Sequence, residues 1–154
     1  MEIEDLLNPS RVVPALKATS KKQVLQELAR RAAQDTGLHE RNVFDVLLER
    51  ERLGTTGVGN GIAIPHGRFG ALDSIYGLFA RLEAPVDFDA VDDQPVDLVF
   101  LLLAPETAGA DHLKALARVS RLLRDRPTCD KLRGADGGDA LYAVLTSSAQ
   151  SHAA

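Results

Sequence analysis

Glycines at positions 54, 57, 59 and 61, followed by Ile62-Ala63-Ile64-Pro65-His66-Gly67, constrain this chain more than any other stretch. Glycine accepts positive φ and lets other groups come close to the backbone. The apolar triplet reads as a short strand that enters the core. Pro65 stiffens the end of that strand and holds His66 where it stops. Gly67 removes bulk beside the imidazole, so a large partner is expected to approach it. The glycines are not a nucleotide loop. A P-loop follows a strand and closes on Gly-Lys-Ser/Thr, whereas here a helical pattern precedes the glycines and a strand follows them. The spacing Gly57-x-Gly59-x-Gly61 also misses the dinucleotide fingerprint. Two readings of the residues remain open: a tight loop with a histidine at a strand end, or a rigid mount for a functional histidine.

The rest of the chain supplies a frame for that stretch. At 154 residues with 45% hydrophobic content, it is expected to bury one core in one domain. Ile3, Leu6 and Leu7 have helical spacing, and Asn8-Pro9 breaks it. Residues 12–16 read as an edge strand because of Pro14. Ser20-Lys21-Lys22-Gln23 matches a capping box and opens a helix with Val24, Leu25, Leu28, Ala29 and Ala32 on one face; Gly37 stops it. Lys21, Lys22, Arg30 and Arg31 read as its solvated side. A second helix is predicted over residues 40–53 and ends at Gly54. Residues 74–82 read as a strand with a bulge at Gly77, and Glu83-Ala84-Pro85 as a turn. Residues 96–103, nearly all apolar, read as a strand covered on both faces. Asp111 is expected to cap a helix carrying Leu113, Leu116, Ala117, Ser120 and Leu123, which Asp125-Arg126-Pro127 ends. Short helical patterns occupy 128–133 and 139–145. The domain is placed at 1–146 and a short, frayed polar tail at 147–154. Helices before, between and after strands predict an α/β layered domain.

Composition narrows the function classes. No apolar run approaches the ~20 residues of a membrane span. The acidic start Met1-Glu2-Ile3-Glu4-Asp5 is unlike a signal peptide. One cysteine, Cys129, leaves no internal disulfide and suits a reducing cytoplasm; it reads as a partly buried apolar filler. The net charge of −4 gives no general attraction to nucleic acid. No His-Glu-x-x-His, Cys-x-x-Cys or Gly-x-Ser-x-Gly motif occurs, so neither a metal site nor a serine hydrolase is expected.

If His66 is functional, nucleophilic histidine chemistry is one use of it. A neutral imidazole nitrogen is a nucleophile near pH 7. Phosphoryl transfer asks mainly for alignment and for donors around the moving oxygens. Backbone amides in a glycine-rich turn can form an anion nest, which makes Gly57, Gly59 and Gly61 candidate phosphate binders, with Thr56 adding a hydroxyl. Arg50 either complements the helix dipole or meets the anion through its fork. His112 lies in the first turn of its helix, where the dipole disfavours imidazolium; it is either an exposed helix-start residue or a neutral donor beside a phosphate. His39 and His152 read as surface residues.

The segments 50–54 and 56–67 resemble the active-site signature of the phosphotransferase-system enzyme IIA domains of the fructose/mannitol class, and within it the nitrogen-related enzyme IIA. Pro85-Val86-Asp87-Phe88-Asp89-Ala90, Gln94-Pro95-Val96-Asp97-Leu98-Val99-Phe100, Pro105-Glu106 and His112-Leu113-Lys114 continue the likeness in the family's order. Thr55 stands where a serine is more usual. The resemblance implies a mixed β-sheet with helices on both faces. It implies phosphorylation of His66 at Nε2 with Nδ1 held by a hydrogen bond, and a second active-site histidine at His112. It implies a cytoplasmic phosphohistidine carrier with no cofactor and no direct membrane insertion. An HPr-like phosphocarrier of the nitrogen type is the expected donor, and regulatory target proteins are the expected readers, docking on residues 57–61 and 66–69. A sugar-specific IIA that serves a IIB domain, and a binding module that is never phosphorylated, are the rival readings.

Overall fold

The apolar run beginning at Val96 becomes the middle of the sheet. Among the described residues there are six strands: β1 (Val12–Leu16), β2 (Gly57–Gly59), β3 (Ile62–Ala63), β4 (His66–Phe69), β5 (Tyr76–Val86) and β6 (Val96–Pro105). Five α-helices accompany them: α1 (Lys21–Thr36), α2 (Glu40–Leu53), α3 (Ala110–Arg124), α4 (Arg126–Gly134) and α5 (Gly138–Ala153). The structure, a computed structural model, describes residues 1–153, with side-chain surroundings through residue 147.

The strand order is β1-β5-β6-β3-β2, with β4 also paired to β6. The sheet is mixed: β5 runs antiparallel to β6, while β3 and β4 both run parallel to it. Successive residues of a strand point to opposite faces, and both faces of β6 are covered. Val99, Leu101 and Leu103 join Leu25, Leu28, Val43 and Leu47 of α1 and α2. Leu98, Phe100 and Leu102 join Val119, Leu122, Leu132 and Leu141 of α3, α4 and α5. This is the expected layered domain with helices on both faces.

Local signals set the helix ends. The Ser20 hydroxyl accepts the Gln23 amide at 3.2 Å, and Gly37 closes α1 in the left-handed region at φ +78°. Asp125 both ends α3 and caps α4, accepting the Thr128 amide at 3.1 Å. β1 lies at one end of the strand order, as Pro14 predicts. Cys129 is buried, with its thiol 3.2 Å from the Leu123 carbonyl.

Several expectations need correction. β5 runs on through Glu83-Ala84-Pro85, because the sheet absorbs those residues in a register shift between Arg81 and Val86 rather than in a turn. Gly77 is not a bulge: it pairs in register with Leu102, and a Cβ there would lie 2.8 Å from the Leu6 carbonyl oxygen. Its smallness admits the N-terminal segment, whose Leu6 carbonyl accepts the Gly77 amide at 3.0 Å. Asp111 does not cap α3; Gly109 holds that position and Asp111 sits inside the first turn. The last helical pattern, read as 139–145, extends as α5 to Ala153. Lys21 is not part of a solvated face: it turns onto the buried Glu51 carboxylate at 2.9 Å. His39 is exposed, whereas the side chain of His152 lies outside the described residues.

Candidate active site

His66 does not end a strand; it begins one. β3 stops at Ala63, Ile64-Pro65 interrupts, and His66 opens β4 opposite Leu102. Two residues on, Arg68 shares its face of the strand. Gly67 between them works differently from expectation. A Cβ on Gly67 would stand 2.8 Å from Val46 Cγ1, so the missing side chain admits helix α2 rather than an outside partner. One turn after Val46, Arg50 thereby reaches the imidazole, as residues four apart on a helix share a face.

Two arginine–histidine contacts define the chemistry. The Arg50 Nε–H donates to His66 Nε2 at 3.3 Å, and Arg50 Nη1 donates to the Gly54 carbonyl at 2.8 Å. His66 Nδ1 lies 2.9 Å from the Ile64 carbonyl oxygen. A guanidinium has no lone pair to offer and a carbonyl no proton. Both contacts are satisfied only by the tautomer protonated at Nδ1, which leaves a lone pair on Nε2. Arg68 Nε–H donates to His112 Nδ1 at 3.0 Å, so His112 carries its proton on Nε2. That nitrogen is buried and has no hydrogen-bond partner among the described residues. The two rings meet edge to face, with centroids 5.8 Å apart. Electrostatics favours both neutral rings. Burial holds His66 below its ordinary 6.5; the Ile64 carbonyl opposes this, the Arg50 charge adds to it, and the Glu51 carboxylate opposes it again. Burial, Arg68 and His66 likewise hold His112 below 6.5.

The rings line an open groove of about 720 Å³ between α2, β4 and α3. Val46, Leu53, Leu113 and Leu116 supply its apolar part, with Arg50 and Arg68 beside the rings. Leu53 and Leu113 are 80% and 64% exposed. They put exposed apolar side chains beside the two imidazole rings. Among the described residues, no group of three or more His, Cys, Asp or Glu side chains could hold a metal ion.

The glycine run lies elsewhere. None of Gly57, Gly59 or Gly61 lines the groove. A Cβ on Gly57 would strike Ala90 at 2.9 Å, and one on Gly59 would lie 3.3 Å from the Asp92 carboxylate. One on Gly61 would meet Arg133 Nη2 at 2.6 Å and Asp97 Oδ1 at 2.7 Å. Asp92 stands beside Gly59, and an Arg133–Asp97 ion pair stands beside Gly61, so the space next to both glycines is already filled by side chains. The Gly57 amide is already bonded to the Thr55 hydroxyl at 3.0 Å. Thr56 is buried, its hydroxyl donating to the Glu51 carboxylate rather than facing the groove. The structure thus brings together His66, His112 and Arg50 and leaves out Thr56 and the three glycines. Arg68 lines the groove and bonds His112, and was not singled out by the sequence; Glu51, also not singled out, lies behind the groove, bonded to Thr56 and Lys21. Arg68 had one available signal, its i+2 spacing from His66 on a strand.

Comparison with known proteins identifies the family. The chain is 63% identical over 145 residues to a nitrogen regulatory protein of Bradyrhizobium diazoefficiens, covering 94% of this chain and 95% of that protein. The crystal structure of nitrogen regulatory protein IIA-Ntr from Neisseria meningitidis superposes with a TM-score of 0.89 at 35% identity, covering 94% of this chain and 99% of that one. Enzyme IIAMTL of Escherichia coli, in its complex with phosphorylated enzyme IIBMTL, shares the fold at a TM-score of 0.76 and 21% identity, covering 90% of this chain and 96% of that one. The family model for the phosphoenolpyruvate-dependent sugar phosphotransferase system, EIIA 2, matches residues 5–148, and the chain belongs to that family.

Proposed function

We propose that this chain is a phosphohistidine carrier of the nitrogen-regulatory kind, accepting a phosphoryl group on His66 Nε2 from an HPr-like phosphocarrier in the cytoplasm. One observation carries the reading: the two histidines hold complementary tautomers, a lone pair on His66 Nε2 and an unpartnered buried N–H on His112 Nε2. The lone pair attacks phosphorus as the donor's bond to phosphorus breaks. The His66 ring then carries the positive charge, shared with Nδ1–H and eased by the Ile64 carbonyl. The phosphoryl oxygens are met by the His112 N–H and by Arg50, whose contact to Nε2 gives way to the new bond. Charge-assisted donors of this kind are the main help a protein gives phosphoryl transfer.

Regulation follows from the same place. Phosphate adds roughly −1.5 to −2 charge units, and here they land beside exposed Leu53 and Leu113. A target seated on the apolar groove, rather than on residues 57–61, is released when that charge arrives, because it would have to be desolvated. The likeness to a IIA protein found with phosphorylated IIB supports a second reading, in which phosphate passes to a IIB protein for transport. Incubation with phosphoenolpyruvate, enzyme I and the HPr-like carrier tests the first step. The label should be acid-labile, base-stable and absent from His66→Ala; label persisting in that variant sinks the assignment. A chase with IIB proteins separates relay for transport from regulation.

A further inference from the structure

Thr56 and Ile64 lie opposite each other one residue beyond the antiparallel β2–β3 pair, in line with the Gly57–Ala63 register, and the ladder is half made there. The Ile64 amide donates to the Thr56 carbonyl at 3.0 Å. In a hydrogen-bonded antiparallel pair the reciprocal bond, Thr56 N–H to the Ile64 carbonyl, normally follows. Here the Thr56 amide donates instead to Glu51 Oε1 at 3.0 Å. The Ile64 carbonyl is taken by His66 Nδ1 at 2.9 Å. Glu51 is held for this task. Its side chain is 3% exposed, Lys21 Nζ neutralises it at 2.9 Å, and the Thr56 hydroxyl bonds its second oxygen. Lys21 is itself fixed over the Phe88 ring at 4.9 Å and lies 3.8 Å from Asp89.

We infer that Glu51 is a positioning residue for the proposed phosphoacceptor: by drawing the Thr56 amide away from the end of the β2–β3 ladder, it leaves the Ile64 carbonyl to His66 without a competing donor, and so strengthens the hold on the tautomer whose Nε2 carries the lone pair. The hydrogen bond at one imidazole nitrogen decides which nitrogen carries the proton. An oxygen acceptor at the right reach is what the task requires, so the charge of Glu51 is secondary to its geometry. The inference rests on His66 as phosphoacceptor for its importance, but the tautomer exists without phosphate and is measured without it.

The test is the His66 ring ¹⁵N spectrum of the unphosphorylated full chain, near neutral pH, in four forms. Wild type and Glu51→Gln should both show His66 protonated at Nδ1, since glutamine keeps an oxygen at the same reach. Glu51→Ala removes the acceptor and Glu51→Asp withdraws it by one methylene. Both should show a mixture with Nε2–H, and the aspartate form keeps the charge and guards against loss of the alanine variant to misfolding. With a phosphorylated HPr-like carrier, the mixed forms should lose about tenfold in kcat with little change in KM for the carrier, as a lost fraction of competent ring predicts. Folded Glu51→Ala or Glu51→Asp with His66 still wholly Nδ1–H overturns the inference, as does a glutamine variant as impaired as alanine. Wild type with the stated tautomer but no phosphorylation would defeat the carrier reading and leave the role of Glu51 intact.

Discussion

The two ends of the stretch from Gly54 to Gly67 are neighbours in sequence and opposites in bonding. At the glycine end the polar groups are closed on one another. Arg133 binds Asp97 through Nε and Nη2 at 2.8 and 2.9 Å and reaches the Asn60 carbonyl at 2.8 Å, while the Asn60 amide binds Asp92 at 2.9 Å. At the histidine end capacity is left open: the His112 Nε2–H is buried without a partner among the described residues, and Arg50 touches His66 at a loose 3.3 Å. Buried polar groups are normally satisfied, so a group left unsatisfied beside a nucleophile points to a ligand that completes it. A glycine-rich run, by contrast, signals close packing as readily as anion binding.

That contrast can be broken by substitution. His112→Ala should have the largest effect, slowing phosphoryl transfer by on the order of a hundredfold, the usual cost of removing one oriented donor from developing charge. Rapid-quench kinetics in both directions measure it, and an unchanged rate would return His112 to a packing role. Arg50→Ala should follow at roughly tenfold or more, with Arg50→Lys between it and wild type, because lysine keeps the charge but not the planar fork that spans Gly54 and His66. Equal rates in the three forms would remove Arg50 from the site.

Gly61→Ala probes the other end. At φ +80°, and with its Cβ pressed on the Arg133–Asp97 clamp, it should lose about 1–2 kcal/mol of stability. In a domain of this size that lowers Tm by very roughly 2–8 °C. Transfer by the folded protein should be untouched; a large loss of transfer without a loss of Tm would restore the glycines to the phosphate site.

The smallest effect is the pH dependence of stability. Both rings titrate below 6.5 in the folded chain, mainly through burial. Between the folded values and 6.5 the unfolded chain therefore binds more protons, so stability falls as pH falls through that window and is fully present above it. Thermal melts from pH 7.5 downward should show the decline. It should shrink in a His66→Gln, His112→Gln double variant and keep its full size in Gly61→Ala.

Much of the frame is legible in the sequence because local rules and burial agree there. Ser20 and Gly37 bracket α1, Gly54 ends α2, and the apolar run of β6 announces a strand with no exposed face. Elements failed where tertiary contact overrides local chemistry. Glu83-Ala84-Pro85 has turn composition, yet it continues β5 through a register shift. Gly77 and Gly67 are small for the sake of Leu6 and Val46, residues 71 and 21 positions away, and no local pattern records such partners. In the site, His66, His112 and Arg50 could be picked out by residue type and family likeness. Lys21 and Glu51 could not: both look like solvated charges on helical faces, and only their meeting reveals a buried pair.

Leu102 gives the backbone beneath the site an unusual anchorage. Its amide binds the Pro65 carbonyl at 3.0 Å, and it belongs to the central strand of the sheet, where its own side chain is fully buried. Amides of such strands exchange with deuterium chiefly through global opening, while edges and loops exchange through local fluctuation. The peptide unit just before His66 is therefore tied to the slowest-opening part of the molecule, although it lies at the rim of an open groove. If the chain is the carrier proposed above, this anchorage gives a docking protein the same backbone position of His66 at each encounter, and the search for alignment falls to diffusion of the two bodies more than to rearrangement of that backbone.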